Sequence, residues 1–217
     1  MKKFVLLLLL PLFIGATSPQ LEPFKPKDYS SLLGMPGFDD KPLEMHFKLY
    51  QGYVNRTNEL LSILKQMREE NEQSSPCYTD IKRHLMWEYD GMRLHEDYFE
   101  NLGGRGTQLD PNSQLYRDIV NEYGSYDKWL VDFKATGAMR GIGWAVLVRD
   151  PVSGRLINAW IDEHDKGHLV GGEPILIMDV FEHAYMIQYG LDRGKYIDAF
   201  IQNINWPVVE GRYAPHS

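Results

Sequence analysis

Apolar residues recur at helical spacing in the first long stretch beyond the N-terminal segment. Between residues 42 and 67 they are Leu43, Phe47, Tyr50, Tyr53, Val54, Leu60, Leu61 and Leu64. This spacing keeps the apolar side chains on one side of the backbone and predicts a single long helix. A second helix is predicted from about Thr79 to Leu102. The polar stretch EENEQSSPC separates the two and favours a helical hairpin.

The pattern changes after the segment GGRGTQLDPNS, where three glycines and a proline interrupt helical spacing. Two amphipathic helices are expected beyond it, from about Ser113 to Glu122 and from Ser125 to Met139, each opened by a serine suited to N-capping. The stretches IGWAVLVR and RLINAWI flank the turn DPVSG and predict a β-hairpin, and PILIMD predicts a buried third strand. The predicted fold class is α+β: an N-terminal helical hairpin domain (19–104), then a C-terminal α/β domain (105–217) with a three-stranded antiparallel sheet.

The composition is that of a globular protein, since 43% of the 217 residues are hydrophobic and 24% are charged. The N-terminus has a different character. Lys2 and Lys3 precede an apolar run from Phe4 to Ile14 and then small residues, the order of a secretory signal peptide at 1–18. The apolar run is too short to span a bilayer. We therefore expect an exported protein, periplasmic or secreted, without stable membrane insertion after cleavage; an uncleaved anchor is the alternative.

Charge and cysteine content narrow the choice of partners. Loss of Lys2 and Lys3 with the signal peptide would lower the formal net charge from −7 by two, to −9. Such an acidic chain is not expected to bind nucleic acid. Cys77 is the only cysteine, so no intrachain disulfide can form.

The segment DVFEHAYMIQY carries the candidate chemistry, because Asp179 and His183 stand four residues apart at the end of an apolar run. His46 and His95 lie in the two predicted helices upstream. Three imidazoles and one carboxylate suit a redox-capable first-row metal. Each residue alone is weak evidence, since a DxxxH pair often serves capping and a lone histidine on an apolar helix face is more often a core residue.

Four sequence blocks strengthen the interpretation. They are LEMHFKLYQGYVNRTN around His46, HEDYFENL from His95, GIGWAVLV at 141–148, and DVFEHAYMIQY running into YIDAFIQNINW. In order and approximate spacing they resemble the iron/manganese superoxide dismutase family. The resemblance implies that His46, His95, Asp179 and His183 hold one iron or manganese ion per subunit and that superoxide is converted to oxygen and hydrogen peroxide. Zinc would not serve, having no accessible redox step.

The resemblance also points to three catalytic candidates. In the family a glutamine hydrogen-bonds the metal-bound solvent. This chain has no glutamine at either of the family's two positions, and His164, fifteen residues before Asp179, resembles a branch of the family that uses histidine; an exposed loop histidine is the alternative. Tyr53 resembles the family's gateway tyrosine, but its spacing from His46 is one residue short, so Tyr50 competes for that role.

Further roles follow from the same resemblance. Glu182 matches a glutamate that crosses a dimer interface to the partner's ligand histidine, which predicts a homodimer; a solvent-facing glutamate is the alternative. Phe181 replaces a tryptophan that is common next to the ligands in the family, while Trp144 and Phe99 are expected to keep aromatic walls around the site. Arg193 is expected to steer the anionic substrate past the negative net charge, unless it is an ordinary solvated arginine.

Two other classes of function stay open on the sequence. One is a mononuclear metal hydrolase that uses the same ligands with zinc. The other is a secreted, non-catalytic homologue, suggested by the altered gate, where Met186 stands in place of a family tyrosine.

Overall fold

A computed structural model describes residues 21–214 of the chain. A short 3-10 helix (Ser30–Leu32) precedes ten longer elements: α1 (Asp40–Glu69), α2 (Pro76–Glu100), α3 (Gln114–Tyr123), α4 (Tyr126–Gly137), β1 (Gly143–Arg149), β2 (Leu156–Asp162), β3 (Glu173–Asp179), α5 (Glu182–Tyr189), α6 (Arg193–Gln202) and α7 (Trp206–Tyr213). The predicted α+β class is confirmed. The proposed signal peptide lies outside the described residues, among which no helix has the length and apolar character needed to cross a membrane.

The helical hairpin predicted for the first half is present. The buried side chains of α1 lie on one face: Leu43, His46, Tyr50, Val54, Thr57, Leu60, Leu64 and Met67. Ser75 caps α2 by accepting a hydrogen bond from the Tyr78 amide, and Pro76 occupies the first turn, where its missing N–H costs no hydrogen bond. Two histidines are thereby carried on adjacent helices.

The two predicted helices of the second half also form, and serine caps both. Ser113 accepts from the Tyr116 amide and Ser125 from the Lys128 amide, each at 3.1 Å. Gly124 ends α3 in the left-handed region, with φ of 86°. A residue with a side chain would be strained there, so the glycine allows one helix to follow the other directly.

The three strands form an antiparallel sheet in the order β2-β1-β3, with β1 in the centre. All residues of β1 except Arg149 are buried. In the β1–β3 register Trp144 lies opposite Asp179. Because Asp179 is the last residue of β3, the pairing places the Trp144 indole beside the end of the sheet where the candidate ligand stands.

The two halves of the molecule are tied together next to the proposed boundary at 104. The Asn101 side chain donates to the carbonyl of Ile177 at 2.6 Å, and the Gly104 amide donates to the carbonyl of Asn203 at 3.0 Å. A Cβ at Gly104 would stand 2.0 Å from the Ile204 carbonyl oxygen, so only glycine fits. Helices α6 and α7, which close this side of the core, were not predicted from the sequence. The domain division itself stays a prediction.

Candidate metal centre

The four predicted ligands come together where the helical hairpin meets the sheet. His46 lies on α1, His95 on α2, Asp179 at the end of β3 and His183 in the first turn of α5. One potential ligand atom from each residue lies within 4.8 Å of the other three. His46, His95 and Asp179 are buried, and His183 is partly exposed. The chain thus gathers three imidazoles and one carboxylate from four separate elements.

The Asp179 carboxylate is the centre of this cluster. Its Oδ2 lies 3.1 Å from Nε2 of His46, 3.1 Å from Nε2 of His183 and 3.6 Å from Nε2 of His95. The other oxygen, Oδ1, accepts a hydrogen bond from the Phe181 amide at 2.8 Å. That bond fixes the carboxylate orientation and leaves Oδ2 directed at the histidines.

His95 gives the clearest sign that the cluster suits a metal ion. Its Nδ1 lies 2.6 Å from the Gly91 carbonyl, and a carbonyl can only accept, so Nδ1 carries the proton. Nε2 is then an unprotonated acceptor. It is buried and has no hydrogen-bond partner among the described residues. A buried acceptor without a partner costs about 1–3 kcal/mol, and a cation at this position would remove that cost.

The protonation states also suit metal binding. Burial lowers the pKa of His46 and lowers that of His95 well below its usual value. Burial alone would raise the pKa of Asp179, but the charge and hydrogen bond of His183 and the hydrogen bond of His46 outweigh it, so this pKa is lowered. Metal ligands must be neutral imidazoles and ionised carboxylates, and the fold favours both forms.

Tyr53 and His164 meet beside the cluster. The Tyr53 hydroxyl lies 2.8 Å from Nε2 of His164, and the Trp144 indole N–H donates to Nδ1 of His164 at 3.1 Å. The Tyr53 ring centroid is 5.0 Å from that of His95. Gly91 leaves room for this pair, because a Cβ there would lie 2.9 Å from the Tyr53 ring and 3.2 Å from the His164 ring. His164 is therefore a buried residue, not an exposed loop histidine.

Tyr50, the competing gate candidate, is placed differently. Its hydroxyl donates to the Glu96 carboxylate at 3.0 Å and accepts from the Lys27 amide at 3.0 Å. The side chain is fully buried. These contacts anchor the N-terminal segment to α2, and they favour Tyr53 over Tyr50 as the residue at the gate.

The remaining predicted residues surround the cluster. The Phe181 ring stacks between His164, at 4.6 Å between centroids, and His183, at 5.1 Å. Glu182 is exposed at the start of α5. Arg193 donates to the carbonyls of Met139 at 2.6 Å and Gly141 at 2.9 Å, so its guanidinium is held by backbone.

A surface cavity of about 790 Å³ adjoins this region, and its lining includes Glu182, Tyr185 and Arg193. Arg193 also donates to the Tyr185 hydroxyl at 3.1 Å. The arginine is thus both a structural tie and a positive charge at a cavity that includes Glu182, the residue before the candidate ligand His183 in the chain.

Two residues around the site went unnoticed in the sequence. The Trp87 ring centroid lies 4.6 Å from that of His164. Trp87 precedes Gly91 by four residues and His95 by eight, so helical spacing could have indicated that all three share one face. Tyr196, fully buried on α6, donates to the Asp179 carbonyl at 2.6 Å. Its occurrence in YIDAF, a block that already carried the resemblance, could have indicated it.

The fold and site define a mononuclear metal protein with three histidines and one aspartate on an α+β scaffold. A family model described as "Iron/manganese superoxide dismutases, C-terminal domain" matches residues 111–212. The superoxide dismutase (Fe) of Aquifex pyrophilus is 36% identical over 196 residues, covering 87% of this chain and 90% of the relative.

Other relatives carry the manganese or the iron designation. Superoxide dismutase (Mn) 2 of Haloferax volcanii is 34% identical over 197 residues, covering 90% of this chain and 96% of the relative. Superoxide dismutase (Fe) of Cupriavidus metallidurans is 35% identical over 183 residues, covering 82% and 89%. The chain belongs to the iron/manganese superoxide dismutase family.

Proposed function

We propose that this protein is a superoxide dismutase with one iron or manganese ion held by His46, His95, Asp179 and His183. The observation that carries the proposal is the convergence of these ligand atoms within 4.8 Å of one another in a member of this family. When bound, the ion would alternate between the 3+ and 2+ states, taking an electron from one superoxide to release oxygen and returning it to a second superoxide, which takes up two protons to become hydrogen peroxide.

The residues of the chain supply binding, orientation and exclusion of water. Three neutral imidazoles and one carboxylate contribute a single negative charge, so a 3+ or 2+ ion keeps a net positive charge that attracts an anion. The Phe181 amide and the Tyr196 hydroxyl hold Asp179 in place. The burial of His46 and His95 keeps bulk water from the inner side of the cluster.

The alternatives are not favoured. A zinc hydrolase would use a similar ligand set, but the relatives named above are superoxide dismutases of the iron and manganese types. A non-catalytic homologue would not need the cluster, yet all four ligands are present and converge. The Tyr53 and His164 pair is also assembled beside them.

The test is to purify the protein from its native host, measure its metals by mass spectrometry and assay superoxide decay. We expect about one iron or manganese ion per chain and rapid dismutation. The same chain loaded with zinc should be inactive, because zinc has no accessible redox step. A native preparation that contains zinc and leaves superoxide decay unchanged would contradict the proposal.

We further propose that the protein is a homodimer. Glu182 is exposed at the start of α5, and its exposed neighbours include Met186, Ile187 and Leu191, the last with 91% of its surface accessible. Clustered apolar side chains around one carboxylate are typical of an interaction surface. A second copy would bring its own Glu182 towards His183, as the family resemblance implies.

The place of action and the steering role are also proposals. The Lys2–Lys3 pair followed by an apolar run supports export to the periplasm or the outside. Arg193 at the cavity supports attraction of superoxide despite the acidic net charge of −7. Mass spectrometry of the mature N-terminus tests export, and the salt dependence of turnover in Arg193→Gln tests steering.

A further inference from the structure

We propose that Trp144 fixes His164 in the tautomer that carries its proton on Nε2, so that the Tyr53 hydroxyl accepts from His164 and keeps its own hydrogen for an acceptor in the metal site. His164 would then be a positioning residue, and Tyr53 the group that reaches the site. The inference deepens the proposed dismutase function and rests on it for the identity of that acceptor.

The indole N–H of Trp144 can only donate a hydrogen bond. It lies 3.1 Å from Nδ1 of His164, so Nδ1 must be the acceptor and carries no proton. A proton on Nδ1 would set two N–H groups against each other inside the core. The neutral ring must therefore carry its proton on Nε2.

The surroundings of His164 exclude the doubly protonated ring as well. The side chain is buried among Phe181, Trp87, Trp144 and Tyr53, with ring centroids between 4.6 and 5.8 Å away. Burial lowers the pKa of His164 to about 4. The imidazole is then neutral at physiological pH and has one hydrogen to give. Nε2 of His168 lies 2.8 Å from the His164 carbonyl oxygen and holds the backbone, so both the backbone and the ring of His164 are fixed by contacts.

The consequence falls on Tyr53. Nε2 of His164 lies 2.8 Å from the Tyr53 hydroxyl oxygen and must donate to it. The phenolic hydrogen is then free to point elsewhere. A phenol has an ordinary pKa of about 10, so the Tyr53 hydroxyl carries this hydrogen at neutral pH. The Tyr53 ring lies over the His95 ring, so Tyr53 is adjacent to the candidate metal site.

The geometry also distinguishes histidine from the glutamine carboxamide that the family resemblance leads one to expect. A carboxamide at residue 164 could accept from Trp144 and still have two hydrogens, one for Tyr53 and one for the site. His164 has a single hydrogen, which Tyr53 takes. Within this hydrogen-bonded chain only the Tyr53 hydroxyl can donate to a solvent molecule or anion at the metal.

Neutron diffraction of the deuterium-exchanged, manganese-loaded protein tests the arrangement directly. We expect deuterium on Nε2 of His164, none on Nδ1, and the Tyr53 deuteron directed away from His164 towards the ligands. Deuterium on Nδ1, or a Tyr53 deuteron on the line to His164, would overturn the proposal.

The role of Trp144 is tested by ¹⁵N NMR of histidine-labelled protein loaded with zinc, which is diamagnetic. Trp144→Phe removes the donor and should shift the His164 resonances towards a mixture of tautomers. Trp87→Phe is the matched control, because Trp87 packs on the same ring without a hydrogen bond; it should keep the wild-type pattern, as should Tyr53→Phe. If Trp144→Phe folds and keeps the wild-type pattern, Trp144 does not set the tautomer. If it fails to fold, the wild-type spectrum still decides where the proton lies.

These measurements need no turnover. A reversed tautomer in protein that dismutates superoxide would remove this inference and leave the function standing. If the expected tautomer is found in protein that is inactive with both iron and manganese, the proposed dismutase function is wrong and the proposed hydrogen-bond directions remain.

Discussion

The ligand cluster and the Tyr53–His164 pair lie side by side, yet the chain builds them in different ways. Each ligand stands on a regular element or at its end, where hydrophobic patterning fixes its direction. His164 lies in the connection between β2 and β3, and its position depends on long-range contacts, chiefly its hydrogen bonds to Trp144 and Tyr53. The four-residue cluster therefore tolerates few substitutions, whereas a single substitution in a loop can change the hydrogen bonds of the Tyr53–His164 pair.

The largest difference between the two regions should appear on removal of a ligand. His95→Ala takes away the buried Nε2 that points into the cluster. Loss of a residue that only hydrogen-bonds a metal ligand typically lowers metal affinity about 10–100-fold, and the loss of His95 should lower it further. His84→Ala, an exposed histidine on the same helix, is the matched control. Metal content and superoxide decay are the measurements; equal metal content in the two variants would break the comparison.

A smaller loss is expected from Glu182→Ala. If its carboxylate orients His183 of a second copy, the variant should lose about 10–100-fold in metal affinity and dissociate more readily. Glu69→Ala, which alters an exposed glutamate at the end of α1, should do neither. Sedimentation velocity combined with metal titration checks both; a wild type that sediments as an active monomer would remove this role.

The two candidate gate tyrosines, Tyr53 and Tyr50, should differ in their effects on turnover. Tyr53→Phe should lower turnover roughly tenfold, the low end for an outer partner, and it also costs stability because the buried His164 N–H loses its acceptor. Tyr50→Phe should leave turnover nearly unchanged and cost about 1–3 kcal/mol of unfolding free energy, because the Lys27 amide and Glu96 lose a partner. Steady-state assays separate the two, because only Tyr53→Phe should lower turnover, and urea unfolding measures the stability cost of each. The reverse pattern would make Tyr50 the gate.

Much of this architecture could be predicted from the sequence, because it depends on local pattern. Apolar spacing predicted α1 and the strands, and Ser113 and Ser125 predicted two helix starts. The ligand motifs predicted which residues converge. The choice between Tyr50 and Tyr53 could not be made, because the spacing of Tyr53 from His46 is one residue shorter than the family's and only the packing of α2 separates the two tyrosines.

The His164 contacts were also beyond the sequence. Its bond to Trp144 joins two residues 20 positions apart through a β-hairpin whose register had to be known. Trp87 reaches it from another half of the chain, and Gly91 matters only for the space it leaves. Such long-range contacts follow from packing, which no local pattern encodes.

The last expected effect concerns the pH dependence of stability. Burial lowers the pKa of His164 to about 4 from its usual 6.5, so between these values the unfolded chain binds more protons than the folded one. The metal-free protein should lose stability as pH falls through this window, with a slope of at most about 1.4 kcal/mol per pH unit from this residue. His164→Gln should flatten the curve. Urea unfolding of the wild type and His164→Gln between pH 7 and 4 checks this prediction. Parallel curves of unfolding free energy against pH for the two proteins would contradict it.

The central claim is that the four-residue cluster holds a metal ion that changes oxidation state during turnover. Pulse radiolysis of the iron-loaded and manganese-loaded protein, with the optical spectrum of the metal followed as superoxide decays, tests it most directly. We predict that the oxidised absorption falls after a superoxide pulse and then returns, at a rate matching superoxide decay. A spectrum that does not change while superoxide decays only at its uncatalysed rate would contradict the account.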